Sequence, residues 1–228
     1  MKMPVLTPGD KRVSYISFMF FTLFFLLVSP AFLSSEDASV LDEDLFEEAS
    51  LAYKNGEFVT AFDNFSELAE KGIHDAQYNL AVILKSGKGV PKDYIKALFW
   101  SWRARLGGIE LAVDQSEELK GLVPEKSLKD LRETVRETLR VRVFDGDSAA
   151  ISRLANYFLL IPDEPNYEKA YLWFLISAAL MQEGSAIGRD DVEKELESEK
   201  VVKIQKEAFE LFQSLPKKIR NNLETRED

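Results

Sequence analysis

The sequence predicts an all-α protein, a short α-solenoid of antiparallel helix pairs behind an N-terminal signal or anchor segment. Three observations carry this expectation. The chain of 228 residues repeats itself at two nested spacings: Phe58, Ala61 and Gly72 return 36 residues on as Tyr94, Ala97 and Gly108, while Gly72, Ala76, Leu80 and Ala81 return 74 residues on as Gly146, Ala150, Leu154 and Ala155. Self-similarity on this scale marks stacked supersecondary units. Apolar residues fall at helical spacing between glycine stops, and no alternating apolar–polar run of strand length interrupts them.

In chain order, the first element is an export segment. Lys2, Lys11 and Arg12 give a positive end, Val13 to Val28 is uncharged and rich in phenylalanine, and Ser29-Pro30-Ala31 offers small residues to a signal peptidase. Residues 1–31 therefore read as a signal peptide cleaved after Ala31, with an uncleaved anchor over 13–33 as the alternative. Both send the remainder across a membrane, because the positive flank stays behind. Glu36, Asp37, Asp42, Glu43 and Asp44 make 32–44 an acidic tether leading into the acidic first turn of a helix. A calcium loop would need a turn glycine that this stretch lacks.

A helix pair is expected over 45–71. Leu45, Ala49 and Ala52 share a face ending at Asn55-Gly56; Phe58, Ala61, Phe62, Phe65 and Leu68 share a second ending at Gly72. Two four-helix modules follow, 72–145 and 146–219, then a polar tail over 220–228. In the first module Asp75 is placed to cap a helix carrying Ala76, Leu80 and Ile83. Gly87-Lys88-Gly89-Val90-Pro91-Lys92-Asp93 is a loop, and a helix runs from Tyr94 to Leu106. That helix has two apolar sides, Tyr94, Ala97, Trp100 and Ala104 on one and Ile95, Phe99, Trp102 and Leu106 on the other. A surface helix needs one such stripe; two suit a helix held between its own partner and the next repeat. With one residue fewer in the loop, Tyr94, Ala97 and Trp100 return as Tyr167, Ala170 and Trp173.

Ala76-Gln77-Tyr78-Asn79-Leu80-Ala81, the Gly87-Lys88-Gly89-Val90 loop and Lys92-Asp93-Tyr94-Ile95-Lys96-Ala97-Leu98-Phe99-Trp100, closing on Ala104 and Gly107, resemble a Sel1-like repeat, a relative of tetratricopeptide repeats with a longer glycine-containing loop. Ala150 through Trp173 resembles a second copy whose loop, Pro162-Asp163-Glu164-Pro165-Asn166, has lost both glycines. Ala81 and Arg105 depart from the family's usual glycine and alanine. The resemblance implies adaptor work, since periplasmic regulators of envelope signalling and flagellar-motor accessory proteins use similar repeats.

Composition narrows the function. There is no cysteine, which excludes a disulfide framework, a thiol nucleophile and a thiolate metal site. A single histidine, His74, excludes mechanisms that need two imidazoles, and its place before a helix reads as a turn or capping role. A net charge of -10 argues against a nucleic-acid partner. Gly87-Lys88-Gly89 lacks phosphate-loop spacing, and no cofactor or metal motif is present. Arg136, Arg140 and Arg142 form a basic group at a helix end, read as helix-end electrostatics with an acidic partner as the alternative. Trp102 and Tyr78 lie off the alanine-marked faces, with Tyr157 the nearest equivalent in the second copy; they either pack between repeats or anchor a protein or peptide in the solenoid groove.

The expected protein is thus a non-enzymatic adaptor or regulator of the cell envelope, periplasmic or secreted, or inner-membrane anchored facing the periplasm. A structural subunit of an envelope or flagellar-motor assembly is the alternative, and an envelope glycan hydrolase using acidic residues a further one.

Overall fold

The computed structural model describes residues 35–221, with side chains from Ser39. The export segment and most of the polar tail lie outside the described residues. Every element described is helical: α1 Ser35–Asn55, α2 Phe58–Lys71, α3 His74–Ser86, α4 Tyr94–Leu106, α5 Leu111–Lys120, α6 Glu125–Phe144, α7 Ala149–Leu160, α8 Tyr167–Ala179, α9 Ser185–Glu193, α10 Ser198–Ser214 and α11 Lys217–Asn221. From Asp44 the described residues form one compact unit, and the described part before it is helical from Ser35. The acidic stretch read as a tether is therefore helix from Ser35 onward. Among the described residues no helix is long and apolar enough to cross a membrane.

Short connections make neighbours in sequence neighbours in space. α3 packs on α2 and α4, α4 on α5, α7 on α6 and α8, and α8 on α9 and α10. The turns that reverse the chain share one chemistry. After α1, α2, α4, α6 and α8 a residue enters the left-handed region and the next amide reaches back five residues: Glu57 N to Ala52 O at 2.9 Å, Ile73 N to Leu68 O at 3.0 Å, Ile109 N to Ala104 O at 3.1 Å, Asp147 N to Arg142 O at 2.9 Å and Gln182 N to Ser177 O at 3.2 Å. This satisfies the helix's last carbonyls while aiming the chain into the next helix. The left-handed residue is glycine in four of the turns and Met181, with φ 52, in the fifth.

The loops inside the two copies close alike despite their different sequences. Asp93 N donates to Leu84 O at 3.0 Å and Asn166 N to Phe158 O at 2.8 Å. Asp93 Oδ1 then accepts from Lys96 N, and Asn166 Oδ1 from Lys169 N, so each caps the helix that follows. Gly89 in the first loop rests on α2, where a Cβ would stand 2.6 Å from Phe58 Cβ. In the second loop Asp163 substitutes a polar clasp, pairing with Lys120 Nζ at 3.0 Å and Arg132 Nη2 at 2.7 Å. Those bonds hold the Asp163 carboxyl below its ordinary range. At the start of α3 the structure departs from expectation: the helix begins at His74, its cap is Ile73, and Asp75 sits in the first turn without a side-chain capping bond.

Candidate partner-binding surface

The three aromatics singled out from the sequence have different fates. Trp102 is 1% exposed. Its helix, α4, is packed by α3, α5, α6 and α7, so both of its apolar sides are filled. Tyr157 is 5% exposed and its hydroxyl donates to the backbone oxygen of Arg132 at 2.9 Å. Burial raises its phenol above the ordinary value. The 74-residue spacing shows why: it superposes Tyr157 on Ile83, a core position, rather than on Tyr78. Trp102 and Tyr157 thus take the packed role, and the expectation of groove anchors at these two residues is corrected.

Tyr78 is only half-buried, on the side of α3 opposite Ala76, Leu80, Ile83 and Leu84. Asn79 and Val82, on that open side, line a cavity of about 170 Å³ with Ser50, Tyr53 and Lys54 of α1 and Phe65 of α2. The lining mixes hydroxyl, amide, ammonium and apolar groups. It is a half-open cavity rather than a sealed core void.

The basic group at the end of α6 also resolves into separate roles. Arg136 pairs with Glu133 and Arg140 with Glu137, each one turn apart. Arg142 instead donates from Nε to Asp147 Oδ2 at 2.8 Å, with its guanidinium against Gly72. Arg153 of α7 reaches the same oxygen at 3.9 Å. Arg103 of α4 belongs to this group electrostatically: burial, then Arg142, push its guanidinium down to about 10, while Glu70 and Asp147 oppose the shift. It is 7% exposed, its guanidinium lies 4.9 Å from the centroid of the Trp100 ring and 5.6 Å from that of Phe99, and its side chain has no hydrogen bond or ion pair among the described residues.

His74 completes the group. Ala69 O accepts from Gln77 Nε2 at 3.0 Å, which leaves Gln77 Oε1 to accept from His74 Nδ1, also at 3.0 Å. The ring sits over Gly107, where a Cβ would lie 2.1 Å from its Cγ. Burial lowers the His74 pKa, with Arg153, Arg103 and Arg142 acting in the same direction against the Gln77 bond. Sequence reading missed this convergence because its members come from α3, α4, α6 and α7.

Residues 74–104 and 148–180 match the family model of the Sel1 repeat. The chain carries two Sel1 repeats. The first Sel1 repeat runs from α3 to Ala104 in α4 and the second takes in α7 and α8. Sel1 repeats generally mediate protein–protein interaction. Over 45 residues the chain is 40% identical to "DAP3-binding cell death enhancer 1" of Mus musculus and equally to that of Rattus norvegicus, which spans 20% of this chain and 9% of those curated relatives. A solved structure, a protective antigen of uropathogenic Escherichia coli strains displaying an SLR fold, is 17% identical, with a TM-score of 0.32 over 85% of this chain and 50% of its own.

Proposed function

We propose that this chain is a non-enzymatic adaptor or regulator that binds another protein through the open side of α3, and that it works in the cell envelope after export. The observation carrying the binding reading is the mixed cavity shared by α1, α2 and α3, beside half-buried Tyr78. Interfaces that form and dissolve are mixed in polarity, whereas permanent ones resemble a divided core. Export rests on the positive, then uncharged, then small-residue order of the first 31 residues.

A glycan hydrolase would want two carboxyls facing across a cleft, one of them holding its proton. Glu133 and Glu137 do share an open cavity of about 590 Å³. Its lining residues, however, all belong to α6, and each carboxylate is paired with an arginine one turn on. The carboxyls with a resolved shift, Asp163 and Glu168, are lowered rather than raised.

The test is site-specific photocrosslinking of the full chain expressed in a bacterial envelope, with the reactive group at Asn79 and, as control, at exposed Lys129. A defined protein joined from Asn79 but not Lys129 supports the adaptor. Equal labelling from both positions, or glycan in place of protein, overturns it. The N-terminal residue of the recovered chain tests export in the same sample: a start near Phe32 fits a cleaved signal, Met1 in the membrane fraction an anchor, and Met1 in the soluble cytoplasm refutes export.

A further inference from the structure

Internal comparison of the two Sel1 repeats isolates one position that the fold does not explain. Spaced as Trp100 is from Trp173, Arg103 corresponds to Ile176, which is 1% exposed. The framework thus accepts an ordinary aliphatic core residue there. The first repeat has instead an arginine, and burying a cation without a partner is costly. At the 74-residue spacing of the preceding helix, His74 corresponds to Ser148 and Arg153 to Asn79, so the cationic group belongs to one place in the chain and not to the repeat as such.

The nitrogens of Arg103 are not sealed in. Among the described residues, the buried side-chain nitrogens with neither solvent nor a partner are Asn64 Nδ2, Arg132 Nε and Arg220 Nε. Its guanidinium lies over the rings of Phe99 and Trp100, and its nitrogens keep some solvent contact. Beside it, Asp147 holds Arg142 and Arg153 in place. Arg142 also lines the open cavity along α6 with Glu133, Thr134, Glu137, Thr138 and Val141, where Arg136 and Arg140 pair with the two glutamates.

We propose that Arg103, flanked by Arg142 and Arg153, is a receptor for a carboxylate on an acidic peptide segment of a protein partner. A planar guanidinium fork with free donors matches a carboxylate in bidentate geometry. A monoanion suits the charge balance better than a phosphate dianion, because Asp147 already occupies the two flanking arginines and Glu70 adds a second negative field. The net charge of -10 does not prevent this, since at physiological salt charges more than about 8 Å away are largely screened and the local group dominates. The site is separate from the open side of α3, and either can fail without the other.

The experiment uses the full chain and a fluorescein-labelled hexaglutamate peptide, followed by fluorescence anisotropy, with inorganic phosphate as competitor. Saturable binding is expected, weakened about tenfold to a hundredfold in Arg103→Ile, which installs the residue of the second repeat. Arg103→Lys, which keeps the charge and loses the fork, should fall between. Circular dichroism melts establish that each variant is folded. His74, the single histidine, is a resident reporter: in NMR titrations hexaglutamate should raise its pKa toward the ordinary value, and should do so less in Arg103→Ile. Unchanged affinity in folded Arg103→Ile overturns the proposal, as does failure of hexaglutamate to bind. Phosphate binding at Arg103 that displaces the peptide overturns the carboxylate assignment.

Discussion

Replacing Trp102 with alanine separates a core tryptophan from a binding anchor, because the two roles differ by a large, calculable amount of stability. At 1% exposure the whole indole is removed from water. The roughly 150–200 Å² of side chain beyond Cβ, at about 25 cal/mol per Å², corresponds to about 4–5 kcal/mol. Core Trp→Ala changes fall at about 3–5 kcal/mol once partial collapse of the cavity is allowed. For a unit of this size each kcal/mol moves the midpoint by about 2–4 °C, so Trp102→Ala should lower Tm by roughly 6–20 °C. The assay is urea and thermal unfolding followed by far-ultraviolet circular dichroism, with Trp102→Phe as the volume-sparing control that loses about half as much or less. A Trp102→Ala protein with an unchanged midpoint and lost partner binding would refute the packing argument and return this residue to the groove.

Four other expectations follow from single contacts. Tyr157→Phe removes the bond to Arg132 O and should cost about 1 kcal/mol with no effect on partner binding, read from urea midpoints. Met181 is a non-glycine residue at φ 52 and 61% exposed, so Met181→Gly should stabilise by about 1 kcal/mol; a loss of stability there would show that the turn is not strained. Gly107→Ala drives a methyl into the His74 ring and should destabilise by about 1–3 kcal/mol, with the His74 NMR resonances displaced. His74 has a folded pKa below its ordinary 6.5, so the unfolded chain binds the proton more readily. Its contribution to stability is complete above 6.5 and lost as pH falls from there through the folded value, and His74→Asn should flatten that part of the pH–stability curve.

The helices were legible because their signals are local. Glycine stops at 56, 72, 108 and 146, the apolar spacing along Tyr94–Leu106 and the nested repeats each depend on residues close in sequence, and the structure places α4 over that same Tyr94–Leu106 range. Even the altered second loop keeps a capping side chain, since Asn166 does there what Asp93 does in the first. Sidedness was less legible. Trp102 and Tyr78 both lie off the alanine-marked faces, yet α4 is enclosed by neighbours while α3 keeps one side open, and helical spacing alone does not say how many neighbours a helix acquires. The charged group was not legible at all. Arg103, Arg142 and Arg153 occupy three different helices, and Arg142 looked like a companion of Arg136 and Arg140 until those two were seen to pair within their own helix.

The two repeats also distinguish what the fold requires from what it merely permits. Trp100 and Trp173 are each 8% exposed at matching positions, and Ala97 and Ala170 are each fully buried, so these residues answer a packing demand that both copies share. Arg103 and Ile176 meet the same backbone setting with opposite chemistry. The guanidinium gains its contacts with the Trp100 and Phe99 rings, but an aliphatic side chain fills the equivalent place without the cost of desolvating a charge. A difference confined to one copy, beside two more arginines and the single histidine, therefore points outward to a ligand. If Arg103→Ile proves more stable than the parent while losing hexaglutamate, the arginine is held for binding at the expense of stability. If it is less stable and binding is untouched, the cation is structural and the outward reading fails.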